Sequence, residues 1–185
     1  MKILCEKRWH LVKDWMPHGG IGVEIGVARA RFSRVCLSFL NPDKLFLVDS
    51  WDRGPYTSRA GLREDWTALQ ESRRREAYSS MRPDIEAGRV EIIQSLSVDA
   101  ATRFPDEYFD WVFVDADHSY EGCRADAVAY LPKLKSGGLM IFHDYNVRER
   151  YGVKQVVDEL IEAGSLDPVG VTDENQAVTA MLRKP

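Results

Sequence analysis

The sequence predicts an α/β fold: an open, mostly parallel sheet with helices on both faces and an antiparallel finish. Three observations carry that prediction. Apolar runs of strand length alternate with segments of helical spacing along nearly the whole chain. Two of those runs, Phe109–Val114 and Leu139–Phe142, break off in the polar clusters Asp115-Ala116-Asp117-His118 and His143-Asp144. The last two runs, 169–172 and 177–182, are separated only by the loop around Asp173-Glu174-Asn175-Gln176, short enough for a hairpin.

A first helix is predicted over residues 3–16, stopping before Pro17 with Gly19-Gly20 behind it. Ile21–Gly26 reads as a strand running into a glycine turn, and Phe32, Val35, Cys36, Phe39 and Leu40 follow at helical spacing. Asn41-Pro42-Asp43 breaks that helix before the strand Lys44–Asp49. Residues 52–84 differ in kind. They are polar, with Gly54-Pro55, Gly61 and Arg73-Arg74-Arg75, and Trp66, Leu69 and Tyr78 mark at least one helix. We expect a helical insertion or an embellished crossover there, covering a substrate. The three arginines read most simply as a solvated helix face, with anion binding the lesser alternative.

A strand at Val90–Ile93 and a short helix to Phe104 come next, then the strand 109–114 and a helix over 120–134. The turn Ser136-Gly137-Gly138 leads into the strand 139–142, and a helix around 152–163 ends at Gly164, ahead of the hairpin. The expected total is seven strands in one domain spanning 1–185. In such sheets, strands joined by a helix often lie side by side. Their carboxyl ends then share one rim, where ligands bind.

Composition narrows the function. Hydrophobic content of 44% and charged content of 29% are those of a globular protein. A net charge of −4 argues against nucleic acid or an anionic membrane as the main partner. No apolar run approaches the ~20 residues of a membrane span, and the charged start Met1–Glu6 is unlike a signal peptide. Cys5, Cys36 and Cys123 are far apart and odd in number, which fits neither a disulfide framework nor a zinc site and points to a reducing, cytoplasmic setting.

The candidate site residues fall at strand ends. In Glu24-Ile25-Gly26-Val27-Ala28-Arg29-Ala30 the turn is glycine-led, but Ala28 and Ala30 stand where a dinucleotide motif has further glycines. An acid two residues before Gly26 would repel a pyrophosphate and suits a ligand carrying an ammonium group. Asp49 ends the next strand, where a carboxylate can accept both ribose hydroxyls, and Trp51 could stack on an adenine. Read alone, Glu24 is equally a surface acid and Asp49 a loop acid; together they favour a nucleoside. Asp115, Asp117, His118, His143 and Asp144 form the densest cluster. Hard cations such as Mg²⁺ prefer carboxylate and water oxygens, which Asp115 and Asp144 offer. His118 could be a ligand, a general base or a structural residue; its free pKa of about 6.5 suits proton abstraction. His143 could orient its loop or point into the site.

These residues resemble the class I S-adenosylmethionine-dependent methyltransferases, whose Rossmann-like domain covers nearly the full chain. Within them the chain looks most like small-molecule O-methyltransferases of the macrocin type. Val23–Ser33 is similar to their first motif, Leu47-Val48-Asp49-Ser50-Trp51 to the ribose acid and its neighbours, Val114–Gly122 to the most specific motif, and Gly152–Glu159 to a further familiar segment. The resemblance implies that Glu24 and the Gly26 backbone face the methionine end of S-adenosylmethionine, with Ala28 and Ser33 also at the cofactor. It places Asp49, Ser50 and Trp51 at the nucleoside, Ser95 and Leu96 at the adenine, and Asp115 beside the cofactor. It also implies a divalent cation, Mg²⁺ or another, held by Asp115 and Asp144, with His118 as base. The catechol-type pattern has Asp-Asn at the second metal position, where this chain has Asp144-Tyr145-Asn146.

The expected reaction is O-methyl transfer to a small hydroxylated acceptor, such as a sugar or natural product. Two alternatives stand beside it. One is a metal-independent methyltransferase in which Asp115 and Asp144 only shape the pocket. The other is a cofactor-binding protein without turnover. The first helix and the 52–84 segment could also pack against a second subunit, making a homo-oligomer.

Overall fold

Apolar runs without a polar face explain the sheet. Along residues 45–48, Leu45 and Leu47 are buried on one side, and Phe46 and Val48 on the other. Phe109–Val114 repeats the pattern, with Trp111 and Phe113 opposite Val112 and Val114. Strands covered on both faces read as continuous hydrophobic runs, and this is the mark of a parallel sheet. A computed structural model describes residues 1–51, 63–145, 151–174 and 177–185, with side chains from Trp66 in the second stretch.

Among the described residues the strands are β1 (Ile3–Cys5), β2 (Ile21–Ile25), β3 (Lys44–Asp49), β4 (Val90–Gln94), β5 (Phe109–Val114), β6 (Leu134–Phe142), β7 (Asp167–Thr172) and β8 (Ala180–Arg183). Their order across the sheet is β1-β7-β8-β6-β5-β2-β3-β4. β8 runs antiparallel to β6 and β7, and the other pairings are parallel. The helices are α1 (Arg8–Trp15), α2 (Arg31–Leu40), α3 (Arg63–Glu86), α4 (Ser97–Ala101), α5 (Tyr120–Tyr130) and α6 (Val153–Glu162). One core joins α1, α2 and α3 to the sheet through Leu11, Val12, Cys36, Leu40, Ala77 and Met81. The other face is covered by α4, α5 and α6 through Ala100, Cys123, Ala127, Tyr130, Val156 and Val157.

Several expectations change. Residues 3–5 belong to a strand rather than to the first helix, because their backbone pairs with β7, Ile3 opposite Val171. The sheet therefore has eight strands where seven were expected. Ser136-Gly137-Gly138 lies inside β6 rather than before it. Gly137 donates its N–H to the Lys184 carbonyl at 2.9 Å, and Lys184 donates back to Gly138 at 3.0 Å, so the glycine pair kinks a strand that continues. The predicted helix 120–134 ends at Tyr130, and β8 begins at Ala180 instead of 177.

In the 52–84 segment, α3 accounts for residues 63–86, while Gly54-Pro55 and Gly61 lie outside the described residues. The arginine run fits a solvated face. Arg74 and Arg75 both lie near Glu71, at 2.9 and 3.8 Å, and Arg73 sits over the Trp66 ring. Among the described residues no helix is long and apolar enough to cross a membrane. Cys36 and Cys123 are buried free thiols and Cys5 is half-buried; burial pushes Cys123 up to about 12.

The tightest fit in the sheet is between β2 and β5. A Cβ on Gly22 would lie 2.1 Å from the indole of Trp111, which is fully buried. Overpacking of this kind costs about 1–3 kcal/mol. Gly22→Ala is expected to lose that much stability in urea denaturation, and to lose less in a Trp111→Leu background, where the ring is gone. Equal losses in the two backgrounds would contradict this account of the contact.

Candidate active site

The sheet reverses its winding between β2 and β5: β3 and β4 lie to one side, β6 and the C-terminal strands to the other. Ligands of open α/β sheets bind at the carboxyl ends of strands at such a point. The cleft is defined by backbone. Asp115 donates its N–H to the Ile25 carbonyl at 2.8 Å, and Gly26 donates to Val48 at 2.9 Å. Gly26 adopts a φ of 88°, and a Cβ there would lie 2.1 Å from the Asp115 carbonyl oxygen. Only glycine leaves the room.

The turn that follows is held from below. Asp49 accepts the Val27 and Ala28 N–H groups on Oδ2, at 2.9 and 2.8 Å, and the Trp51 N–H on Oδ1 at 2.7 Å. Ala28 and Ala30 both have positive φ, of 49° and 56°. Trp51 is buried, and its indole N–H donates to the Ala28 carbonyl at 2.9 Å. Asp49 and Trp51 thus brace the turn itself, a task their positions in the sequence did not announce. A carboxylate offers about four acceptor positions, so Asp49 keeps capacity for a ligand hydroxyl.

Glu24 lies beneath the turn, 2% exposed, hydrogen-bonded by the buried Ser33 hydroxyl of α2. Burial pushes its carboxyl up to about 8, against the Ser33 bond, which lowers it; the nearby Asp115 charge raises it further. Ser50 and Ser95 are half-buried and Leu96 is exposed; Ser95 donates its N–H to the Asp49 carbonyl at 3.2 Å, which sets this segment beside the end of β3.

Across the cleft, strand register assembles the charged cluster. Val114 pairs with Phe142, and His143 donates its N–H to the Val114 carbonyl at 3.0 Å. Asp115 and His143 therefore emerge together. Consecutive side chains of a strand point to opposite faces, yet His143 and Asp144 converge, because Asp144 leaves the strand with a φ of 60°. The loop after Asp115 brings in His118. Asp117 accepts the Ser119 N–H at 2.8 Å, Ser119 caps α5 through the Gly122 N–H, and the His118 carbonyl accepts the Gly152 N–H at 2.8 Å. His118 also stacks on Tyr151. Asp117 is thereby a brace of the loop.

His118 Nε2 lies 3.1 Å from Asp144 Oδ2 and 3.3 Å from Asp115 Oδ1; His143 Nδ1 lies 3.5 and 3.3 Å from the same two oxygens. One donor atom from each of the four residues falls within 4.8 Å of the others. Burial draws both imidazoles toward neutrality, but the carboxylates outweigh it and lift His118 to about 10 and His143 to about 9. Burial alone would raise Asp115 and Asp144; the imidazoles hold both below the usual carboxylate range.

Two features escaped the sequence reading. Arg8, at the start of α1, lays its guanidinium over the Phe32 ring at 4.8 Å and reaches Asp115 Oδ2 at 3.3 Å, leaving Oδ1 to the imidazoles. Nothing local marks it, since its partner comes from more than a hundred residues away. Tyr145, which stood where a metal ligand was expected, turns away: its hydroxyl donates to Asp158 on α6 at 3.0 Å. Asn146 lies outside the described residues.

A profile of the methyltransferase-domain family matches residues 23–145, from β2 to the end of this cluster. The chain belongs to that family. It is an S-adenosylmethionine-dependent methyltransferase, and the matched stretch contains both sides of the cleft. No curated protein sequence matches the chain. Solved methyltransferase structures share the fold at low identity. A candidate rRNA methylase from Clostridium thermocellum is 13% identical with a TM-score of 0.65, over 96% of this chain and 95% of that one. The N-methyltransferase NodS from Bradyrhizobium japonicum, in complex with S-adenosyl-L-homocysteine, is 15% identical with a TM-score of 0.66, over 96% and 84%. A candidate caffeoyl-CoA O-methyltransferase from Staphylococcus aureus is 17% identical with a TM-score of 0.63, over 89% and 76%.

The state of Glu24 in this methyltransferase gives a pH signature. A carboxyl raised from about 4.3 in the unfolded chain to about 8 when folded contributes stability that is full below the lower value. That contribution is lost as pH rises through the upper one. Glu24→Gln cannot ionise. Denaturation from pH 4.5 to 9 should show wild-type stability falling relative to the variant up to about pH 8, then levelling. A constant difference across that range contradicts a buried, neutral Glu24.

Proposed function

We propose that the protein transfers a methyl group from S-adenosylmethionine to a hydroxyl of a small acceptor, a sugar or natural product, with a divalent cation held by Asp115 and Asp144. The observation that carries this reading is His118 Nε2, poised between those two carboxylates at the rim of the switch point. The cofactor fits the cleft because its floor is backbone. The Gly26 turn packs directly on the Asp115 backbone, Asp49 fixes the turn, and the Ser95–Leu96 segment borders it. S-adenosylmethionine, when bound, supplies an electrophilic methyl on a sulfonium. A cation fits the opposite side, where two carboxylate oxygens face the same small space and hold two imidazole nitrogens in the place of a counter-charge.

A divalent cation, when bound there, supplies the positive charge that lowers the pKa of a neighbouring hydroxyl and relieves the imidazoles of neutralising the carboxylates. The protein's own part is positioning and proton removal. His118 is held by its backbone bond to Gly152 and by the Tyr151 ring, so its Nε2 stays at the rim. There it takes the proton of the acceptor hydroxyl, which lets the oxygen attack. Arg8 keeps Asp115 ionised from its other oxygen. Fixing nucleophile and methyl in line accounts for much of the rate in reactions of this kind. An imidazole beside two acids favours oxygen over nitrogen acceptors, since an amine does not need a cation to lose its proton.

His118→Ala should lower turnover by roughly 10²–10⁴-fold, the usual worth of a general base, while S-adenosylmethionine binding by calorimetry stays within about twofold. Unchanged turnover would remove His118 as the base. Prior treatment with EDTA should abolish transfer and added divalent cation restore it; full activity after chelation would favour the metal-independent alternative, and cofactor binding without turnover on any hydroxylated acceptor would favour the non-catalytic one.

A further inference from the structure

Proton removal needs one imidazole, and the cluster has two. His143 is the one unaccounted for. Its Nδ1 is buried and completes no hydrogen bond, although it faces Asp115 Oδ1 and Asp144 Oδ2 at 3.3 and 3.5 Å. The distances match a shared ion. With bonds of about 2.0–2.2 Å, neighbouring donors around one metal sit about 3–3.5 Å apart, and those are the separations here. The backbone supports the same arrangement: the left-handed Asp144 turns its carboxylate to the side on which His143 already lies.

We propose that His143 Nδ1 is a metal ligand, completing with Asp115 and Asp144 a site of one imidazole and two carboxylates. Such a site prefers a first-row transition ion to Mg²⁺. The inference rests on the metal-assisted reading above and adds the identity of the ion to it. Mg²⁺ binds oxygen and keeps its waters, whereas imidazole nitrogen suits the transition ions, whose affinities rise along the series from Mn²⁺ to Cu²⁺. His118, carried on its own loop and already hydrogen-bonded to Asp115, stays outside the ligand set as the base. The missing partner sought at Tyr145, one residue after Asp144, is supplied one residue before it.

The test uses the chelator-treated protein without S-adenosylmethionine, titrated with Co²⁺ by visible absorption and with Mg²⁺ by calorimetry. Wild type should bind Co²⁺ at least tenfold more tightly than Mg²⁺. His143→Ala should weaken Co²⁺ by roughly 10–100-fold and remove the preference, while His118→Ala retains it. Should His143→Ala not fold, pulsed electron paramagnetic resonance of Mn²⁺-loaded His118→Ala protein decides the matter alone, by showing coupling to one imidazole nitrogen. Equal affinity for the two ions, or no nitrogen coupling in that variant, overturns His143 as a ligand and leaves an all-oxygen site. Failure of wild type to bind any of these ions at millimolar concentration overturns the metal reading along with it.

Discussion

The site depends on the register of three parallel strands. Ile25 is paired with Val114, and Val114 with Phe142. Four residues of the site follow directly: Gly26 after the first, Asp115 after the second, His143 and Asp144 after the third. A shift of one residue in either pairing would turn the next side chain to the opposite face and scatter the cluster. The register is secured by burial on both faces, with Trp111 and Phe113 locked on one side and Val112 and Val114 on the other. Gly22 under the Trp111 indole sets the approach of β2 to β5 at one end, and Gly26 against the Asp115 carbonyl sets it at the other.

Within that frame, charge is arranged by depth. Glu24, beneath the turn and shut off from solvent, is pushed toward neutrality. Asp115 and Asp144, both more exposed than Glu24, are held ionised by imidazole and, for Asp115, by Arg8. The same cleft thus has a neutral floor on the side proposed for the cofactor and two anions on the side proposed for the cation. Asp49 belongs to neither group. Its carboxylate is a backbone clamp that gives the glycine-poor turn its left-handed alanines.

Much of this was legible in the residues. Uninterrupted apolar runs such as 45–48 and 111–114 announce parallel strands because no face needs to be polar, and acids at their ends announce a rim. What was not legible depends on contacts between distant parts of the chain. Ile3–Cys5 has no local reason to be a strand; β7 makes it one. Gly137-Gly138 has every local reason to be a turn, but the C-terminal Lys184 draws it into β6. Arg8 is one of many basic residues until the fold sets it on Phe32 and Asp115. Which neighbour of Asp144 turns into the site, His143 or Tyr145, is decided by a single φ angle and by Asp158, far along in α6.

In the proposed function one cleft holds a nucleoside on the Gly26 side and a metal on the Asp115 side. An anomalous-diffraction map from a crystal grown with Mn²⁺ and S-adenosylhomocysteine tests it most directly. The account predicts one strong peak within bonding distance of Asp115, Asp144 and His143, with the nucleoside lying across the Gly26 turn. A nucleoside seated elsewhere, or a map with no peak between the two carboxylates while S-adenosylhomocysteine is bound, would contradict it.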